Sequence, residues 1–187
     1  MARLAERLAA GGTEVVRTRE PGGSPGAEAI RGLVLAGGAE RWTPMTELLL
    51  MMAARDDHLR RTVEPALARG AWVVSDRFVD SSRVYQGIAG GLGLAVVDAL
   101  HERALGGRRP DLTFLLDLDP AAGLARRRSE GQMQRFERME PAFHGAVRSG
   151  YLELAALEPE RIVVIDASRP PDVIADEVWE RLRALRR

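Results

Sequence analysis

The chain has 187 residues, of which 45% are hydrophobic and 29% charged, and this fits a single domain over residues 1–187. Its 27 basic residues balance 27 acidic ones, which excludes the net positive field that binding to a nucleic acid or to an anionic membrane requires. With no cysteine and no long apolar run, disulfides, thiolate metal sites and a membrane span are excluded too, and we expect a cytoplasmic protein.

Short runs rich in β-branched or aromatic residues alternate with segments of helical length. The runs predict strands at 13–18, 72–76, 112–118 and 161–165. Helices are predicted at 2–10, 24–36, 44–69 with a break near Pro65, 94–105, 120–130, 136–157 and from 171 to the end. This alternation predicts an α/β fold in which helices cover both faces of a parallel sheet. Because a right-handed crossover has a strand on each side of its helix and none precedes helix 2–10, we expect that the sheet has lost a strand.

Charged and polar residues follow the first two predicted strands directly. In a parallel sheet, ligands bind at the carboxyl ends of the strands. Arg19, Glu20 and Pro21 follow the first strand, and Arg31, one helix later, would bring a second guanidinium for bidentate phosphate binding. Taken alone, this segment is an ordinary loop and Arg31 a solvated side chain.

The second strand ends in Asp76 and Arg77. An Asp at the end of an apolar strand is where P-loop proteins hold Mg²⁺, and the neighbouring Arg would take a phosphate. A structural ion pair between the two explains the motif equally well.

Hydroxyl, phenol and amide groups crowd together just after this strand, in Ser81, Ser82, Tyr85 and Gln86. They would hydrogen-bond a base edge or a sugar, and a polar loop without function is the alternative. Further upstream, an apolar helix that contains Met51 ends in Arg55. It is either core, a dimer face at 48–52, or a slot for a flat aromatic base whose edge Arg55 reads.

A cluster of arginines lies between the third and fourth predicted strands. Arg126, Arg127 and Arg128 are consecutive on a helix, where successive residues are splayed by about 100°, so at least one must point elsewhere. With Arg135 they suggest a mobile lid that delivers an arginine to a phosphoryl group, and an exposed basic turn is the alternative. His58, His101 and His144 lack the spacing of metal ligands and are interpreted as structural.

Taken in order, six segments resemble the bacterial thymidylate kinase family: 18–23 (Thr-Arg-Glu-Pro-Gly-Gly), 53–55, 76–78, 85–87, 109–111 and the arginine-rich 126–135. The resemblance implies the fold of P-loop nucleoside monophosphate kinases. It also implies transfer of the γ-phosphoryl group of ATP to dTMP, with Mg²⁺ between the nucleotides, and a homodimer formed through apolar helices.

The resemblance further implies a role for each candidate residue. Arg31 and Arg77 would hold the dTMP phosphate, Arg55 with Ser81 or Ser82 would read the thymine edge, and Tyr85 would favour deoxyribose. Asp76 would lie near the metal, and Arg126, Arg128 or Arg135 would stabilise the charge in transfer. Arg19, Glu20, Pro21 and Gln86 complete the substrate site, and Met51 stands where the family has an aromatic residue that stacks on the base.

The family opens with a strand and a G-x-x-x-x-G-K-[ST] loop, whereas the printed sequence contains no lysine. We expect the missing strand to belong between the second and third predicted strands, where its loss leaves a gap of about 10 Å. We therefore expect Met1 to be an internal or misassigned start and the chain as given to be inactive or nearly so. The alternatives are a noncatalytic nucleotide-binding or scaffold protein without the ATP site, and a kinase for a broader range of deoxynucleotides.

Overall fold

The computed structural model describes residues 1–129, 131 and 134–185, and helices and strands alternate along them. The strands are β1 (Val15–Arg19), β2 (Trp72–Asp76), β3 (Thr113–Asp117) and β4 (Ile162–Asp166). The α-helices are α1 (Ala2–Ala10), α2 (Pro25–Leu35), α3 (Pro44–His58), α4 (Glu64–Ala68), α5 (Val79–Ser82), α6 (Leu94–Leu105), α7 (Pro120–Ser129), α8 (Pro141–Leu157) and α9 (Pro171–Leu185). Shorter turns are the 3₁₀ segments Ala39–Arg41 and Arg135–Arg138 and the π-helical segments Leu59–Val63 and Arg83–Ala89.

The strands form two parallel pairs, which confirms the predicted α/β fold with parallel strands. β1 pairs with β2 from Val15↔Trp72 to Arg19↔Asp76, and β3 pairs with β4 from Thr113↔Ile162 to Asp117↔Asp166. Within the described ranges the two pairs share no strand-to-strand backbone ladder. The loss of a strand between the second and third strands stays a prediction.

The helical segment 79–89 packs the first strand pair against the second. Val84 and Leu154 of α8 are fully buried in one apolar cluster that also contains Ile162 of β4. Gly150 of α8 lies so close to this segment that a Cβ atom there would stand 3.2 Å from side-chain carbons of Val84 and Ile88. Close packing of this kind makes the segment the apolar link between the halves.

A buried ionic network makes the same link through charges. The Asp80 carboxylate accepts hydrogen bonds from Arg161 at 2.7 and 2.8 Å and from the Thr113 hydroxyl at 3.2 Å. Arg161 also donates to Glu158 at 2.7 Å, and Glu158 accepts from Arg83 at 2.5 Å. Asp80 follows β2, whereas Thr113 begins β3 and Arg161 precedes β4. One carboxylate thus ties the two strand pairs together.

Three helical regions differ from the prediction. The residues 79–89, which sequence reasoning left outside the helices, are helical because long-range packing of their apolar side chains overrides the low helix propensity of Ser and Gly. The predicted break near Pro65 falls one turn earlier, in a π-helical turn where the Glu64 N–H reaches back to the Leu59 carbonyl. Helix 136–157 begins only at Pro141, and the predicted helix ends at residues 130 and 187 lie outside the described residues.

The candidate dimer face at 48–52 is divided in the structure, because two of its five residues lie in the core, and the homodimer stays a prediction. Leu48 and Met52 are buried against Val97 of α6, whereas Leu49 on the same helix is exposed. No helix of the described chain is long and apolar enough to cross a membrane.

We predict that Asp80→Asn lowers the free energy of unfolding by about 2 kcal/mol, because it removes one of the two carboxylates that neutralise buried Arg161 and leaves only Glu158. The Asp80 and Arg161 side chains are only 7% and 14% exposed. Urea denaturation followed by circular dichroism measures the change.

The matched control for this prediction is Asp56→Asn, which breaks an ion pair with Arg60 whose side chains are 43% and 69% exposed. It should cost less than about 1 kcal/mol. Equal losses for the two variants would contradict the assignment of the bridge.

Candidate functional site

A cleft of about 1540 Å³ lies between the two strand pairs, and its lining runs along the whole of β2 and β3 and includes the carboxyl ends of both strands at Asp76 and Asp117. This exceeds the usual range for small-molecule sites of about 300–1,000 Å³. The sequence-predicted site residues that line it are Glu20, Pro21, Arg31, Met51, Arg55, Asp76, Arg77, Ser81, Ser82, Tyr85, Gln86 and Arg126. Most of the candidate site is thus brought together by the fold, and Arg19, Arg128 and Arg135 are the predicted residues outside the cleft lining.

The loop after β1 supplies one corner of the cleft. Arg31 of α2 is half-buried and donates to the Pro21 carbonyl at 2.7 Å, which holds its guanidinium against the loop. Arg19 instead donates to the Glu28 carboxylate at 3.0 Å in an exposed pair. Arg31 is therefore placed to contribute positive charge to the cleft, whereas Arg19 is neutralised outside it.

Arg55, at the end of α3, is the most heavily constrained cation of the cleft. Its side chain is 2% exposed, its Nε donates to Glu20 at 2.7 Å, and its Nη2 donates to the Ser82 hydroxyl at 3.0 Å. The guanidinium also lies over the Phe78 ring, 5.3 Å from the ring centroid. These contacts fix the plane of the guanidinium, as recognition of a flat ligand edge requires.

The Glu20 carboxylate, predicted to bind substrate, holds two protein groups instead. One oxygen accepts from Arg55, and the other lies 3.0 Å from His58 Nδ1. His58 is fully buried, and its Nε2 lies 2.6 Å from the Thr18 hydroxyl. Since Glu20 is buried and its two oxygens are engaged, its main contact is with Arg55 and His58.

Arg77 stands directly after β2 and is exposed to the cleft. Its backbone has φ of 68°, a left-handed conformation that costs a non-glycine residue about 1 kcal/mol. Its Nη1 lies 3.2 Å from the Tyr151 hydroxyl and 3.4 Å from the Ser81 hydroxyl, and its guanidinium lies over the Tyr85 ring at 5.3 Å. Tyr151 above all raises the pKa of Arg77, so the guanidinium stays charged.

Tyr151 of α8 is a cleft residue that sequence reasoning missed. It shares a 2.7 Å hydrogen bond with Ser81 and meets the Tyr85 ring edge-on, with 6.4 Å between centroids. No local sequence signal marks it, because its partners lie about seventy residues earlier in the chain. Tyr85 also contacts Phe136 and Phe143 edge-on, which makes an aromatic wall beside Arg77.

Asp76 is exposed at the end of β2, and its carboxylate accepts no hydrogen bond from the part of the chain that the structure describes. Among the described residues, no group of three or more His, Asp or Glu side chains is placed to hold a metal ion. A dedicated all-protein metal site is therefore not supported. A single exposed carboxylate fits Mg²⁺ that is bound mainly by ligand phosphates, which is the usual arrangement for this ion.

The predicted lid arginines are dispersed. Arg135 is buried and donates to the carbonyls of Gly38 and Ala39 at 2.9 and 2.6 Å and to Glu47 at 2.6 Å. Glu47 in turn accepts from Gln86 at 3.1 Å, so Gln86, though it lines the cleft, also braces this pair. Arg135 is thus held by three acceptors and does not line the cleft.

The helical arginines diverge, as their spacing predicts. Arg126 is exposed and lines the cleft, Arg127 donates to Glu137 at 2.6 Å, and exposed Arg128 lines a separate small pocket. Of the three, Arg126 has the position that suits contact with a ligand in the cleft. Glu130, within the predicted lid, lies outside the described residues.

The cleft therefore presents fixed cations beside apolar and aromatic surface. Arg31 and Arg77 suit an anionic group such as a phosphate, because guanidinium forks match its oxygens. Half-buried Met51 and the ring of Tyr85 provide apolar surface, and the Arg55–Ser82 pair provides fixed polar contacts at the cleft wall. The arrangement suits a ligand that combines a phosphate with a flat ring.

Comparisons with known proteins match the chain along nearly its whole length. A family model described as "Thymidylate kinase" matches residues 1–178. The chain is 53% identical over 184 residues to a thymidylate kinase of Caulobacter vibrioides, which covers 96% of this chain and 88% of that protein. It is 51% identical over 178 residues to a thymidylate kinase of Ruegeria pomeroyi, with coverage of 95% and 84%. A thymidylate kinase of Bradyrhizobium diazoefficiens is 47% identical over 184 residues, with coverage of 97% and 81%.

These matches give no support to the expectation of a truncated and inactive chain.

We predict that Tyr151 titrates at about 12, because burial raises the pKa of its phenol while the Arg77 cation lowers it less. The stabilising effect of the neutral phenol is complete below the ordinary tyrosine pKa of about 10 and is lost as the pH rises to the folded value. Because the chain has only two tyrosines, the absorbance titration of the wild type minus that of Tyr151→Phe isolates this group. A difference step near the ordinary value would contradict the prediction.

Proposed function

The chain belongs to the thymidylate kinase family and is by family a dTMP kinase, and from this premise we propose that its cleft binds dTMP and transfers to it the γ-phosphoryl group of ATP, giving dTDP. The observation that supports the proposal is that Arg31, Arg55 and Arg77 all line one cleft, with Arg77 directly after the carboxyl end of β2. These cations come from three different elements, and only the fold unites them.

The phosphate end of dTMP is assigned to Arg77 and Arg31. Arg77 has Tyr151 and Ser81 at its guanidinium, and Arg31 is held by the Pro21 carbonyl, so both present their charge with little rotamer freedom left to lose. Such preorganisation strengthens charge-assisted hydrogen bonds to phosphate oxygens.

The base end is assigned to the wall formed by Met51, Arg55 and Ser82. A guanidinium whose Nε is committed to Glu20 directs its remaining N–H groups sideways, where an exocyclic carbonyl oxygen of thymine would accept. Tyr85 is assigned to the sugar, where its ring would crowd a 2′-hydroxyl and favour deoxyribose. Met51 covers the base with less geometric control than an aromatic ring.

Phosphoryl transfer requires stabilisation of the charge that develops on the transferred group. Mg²⁺ with ATP supplies part of it when bound, and Asp76 is the residue we assign to that ion. Arg126 is the lid arginine whose place in the cleft favours contact with the transferring group. Arg128 and Arg135 are weaker assignments, because one faces another pocket and the other is buried against Glu47.

ADP release coupled to dTMP addition tests the proposal, with dUMP and dCMP as competing acceptors. Binding of dTMP with ATP-dependent turnover supports the kinase. Binding without turnover would favour a noncatalytic nucleotide-binding protein and the sequence-based prediction of inactivity, and absence of dTMP binding would refute the assignment of the cleft. A cytoplasmic location stays a prediction.

We predict that Arg77→Gln weakens dTMP binding by at least about tenfold, since a charge-assisted hydrogen bond contributes about 1.5–3 kcal/mol. The same substitution should change the affinity for thymidine, which lacks the phosphate, by less than about twofold. Isothermal titration calorimetry measures both ligands.

Arg60→Gln is the control, because Arg60 is an exposed arginine on the helical segment after α3 and pairs only with Asp56 among the described contacts. It should leave both affinities unchanged. An equal loss for dTMP and thymidine in Arg77→Gln would remove Arg77 from the phosphate.

We propose that the chain forms a homodimer through the exposed apolar side chains of α3 and its neighbours α2 and α6. Leu49 is 52% exposed on α3, and Leu33 and Val96 are exposed on the flanking helices. Leu49→Glu should therefore convert a dimer into a monomer in sedimentation velocity, because dimerisation would bury the new charge.

Leu157→Glu, at the end of α8, is the control, since Leu157 is 61% exposed and lies away from α3 in the chain. It should remain dimeric. A wild-type monomer at micromolar concentration would refute this face as a dimer interface.

A further inference from the structure

We propose that His58 is a positioning residue for nucleobase recognition, acting through Glu20 to set the orientation of Arg55. The inference rests on the proposed function, because it takes Arg55 as the group that reads the base. It concerns a residue that does not line the cleft and that sequence reasoning interpreted as merely structural.

A continuous chain of hydrogen bonds connects β1, α3 and α5. It runs from the Thr18 hydroxyl to His58 at 2.6 Å, from His58 to Glu20 at 3.0 Å, from Arg55 to Glu20 at 2.7 Å, and from Arg55 to the Ser82 hydroxyl at 3.0 Å. Every member is buried. Water therefore cannot readily replace a lost member, and a change at one end is passed along the chain.

The direction of the central bond follows from the chemistry of its partners. An ionised carboxylate only accepts, so Nδ1 of His58 must carry the hydrogen that it shares with Glu20. The Thr18 hydroxyl can either donate to Nε2 or accept from it, so it is compatible with a hydrogen on Nδ1 in either charge state of the ring. Glu20 therefore sets the requirement for the hydrogen on Nδ1.

The loop after β1 is shaped around this histidine. A Cβ atom at Gly23 would stand 2.6 Å from the His58 ring and 2.3 Å from the Thr18 hydroxyl, and Gly23 has φ of 85°. Only glycine combines that space with that backbone conformation. The Glu-Pro-Gly-Gly segment is thus fitted to the histidine, which lies more than thirty residues later at the end of α3.

The consequence for Arg55 is geometric. With one carboxylate oxygen held by His58, the plane of Glu20 is fixed, and its second oxygen holds Arg55 Nε in turn. Loss of the His58 bond leaves a buried carboxylate oxygen without its donor. By rotating toward other N–H groups of Arg55, Glu20 regains a hydrogen bond for this oxygen. The rotation turns the guanidinium away from the cleft.

Two amide substitutions of His58 distinguish its role in orienting Glu20 from a role in filling space. In His58→Asn the amide nitrogen occupies roughly the place of Nδ1 and can still donate to Glu20, whereas in His58→Gln it occupies roughly the place of Nε2 and serves Thr18 instead. Gln is the closer match to His in volume. If His58 acts by donating to Glu20, His58→Gln should weaken dTMP binding more than His58→Asn does. If His58 only fills space, His58→Asn should weaken it more.

Calorimetric titration with dTMP and with dCMP is the measurement. We expect His58→Gln to weaken dTMP binding by about tenfold and to reduce the preference for dTMP over dCMP, since dCMP has an amino group where thymine has a carbonyl. His58→Asn should restore dTMP affinity to within about threefold of wild type. If His58→Gln binds dTMP as the wild type does, or if His58→Asn is the weaker binder of the two, the inference is overturned.

A spectroscopic test needs no variant and stands even if the substitutions fail to fold. A long-range ¹H–¹⁵N correlation spectrum of the ¹⁵N-labelled chain shows which ring nitrogen of each histidine carries a hydrogen. Hydrogen on Nδ1 of His58 supports the relay, and Nδ1 without hydrogen overturns it. Failure of the wild-type chain to bind dTMP would refute the proposed function instead, so the two failures are distinguishable.

Discussion

The carboxylate of Asp80 is the point at which the two strand pairs of the molecule are joined by charge. No strand-to-strand ladder connects the pairs within the described residues, so their relative position depends on side chains: on Asp80 with Arg161 and Thr113, and on the packing of segment 79–89 against α8. A buried charge is tolerated only when its partners satisfy it, and here the partners belong to β3 and to the residue before β4. The width of the cleft is consequently fixed by the same interaction that joins its walls.

Buried arginines are used repeatedly as connectors in a chain without lysine. Arg55 and Arg135 are each buried and each paired with a glutamate. Arg55 also donates to the Ser82 hydroxyl and to Met52 Sδ, and Arg135 to the carbonyls of Gly38 and Ala39. A planar guanidinium with five donors can hold several acceptors at fixed angles, whereas an ammonium is a point charge without that directionality. The first of these arginines reaches the cleft lining and the second does not. The same chemistry therefore forms part of the cleft wall in one place and anchors a segment of the chain in the other.

The sequence predicted features that depend on strand order, and it could not predict those that depend on distant partners. Alternation of strands and helices, with the rule for carboxyl ends of parallel strands, predicted a common edge for the residues after β1 and for Asp76 and Arg77, and Glu20, Pro21, Asp76 and Arg77 line the cleft. Their roles in binding stay predictions. Sequence reasoning could not foresee that Arg135 would be buried against a helix almost ninety residues earlier. The helical state of 79–89 and the place of Tyr151 were not predicted for the same reason. A local sequence pattern carries no information about a partner seventy residues away.

The backbone of Arg77 shows why a local rule is broken at this site. A left-handed conformation favours glycine, yet glycine has no charge, and the position beside Asp76 at the end of β2 is where a cation reaches the cleft. The cost of about 1 kcal/mol is offset by contacts with Tyr85 and Tyr151 that only a long cationic side chain can make. Strain of this size, held in place by surrounding aromatic groups, is typical of sites that bind ligands. The strained residue and its aromatic neighbours therefore form one unit, and the charge it presents is oriented before any ligand arrives.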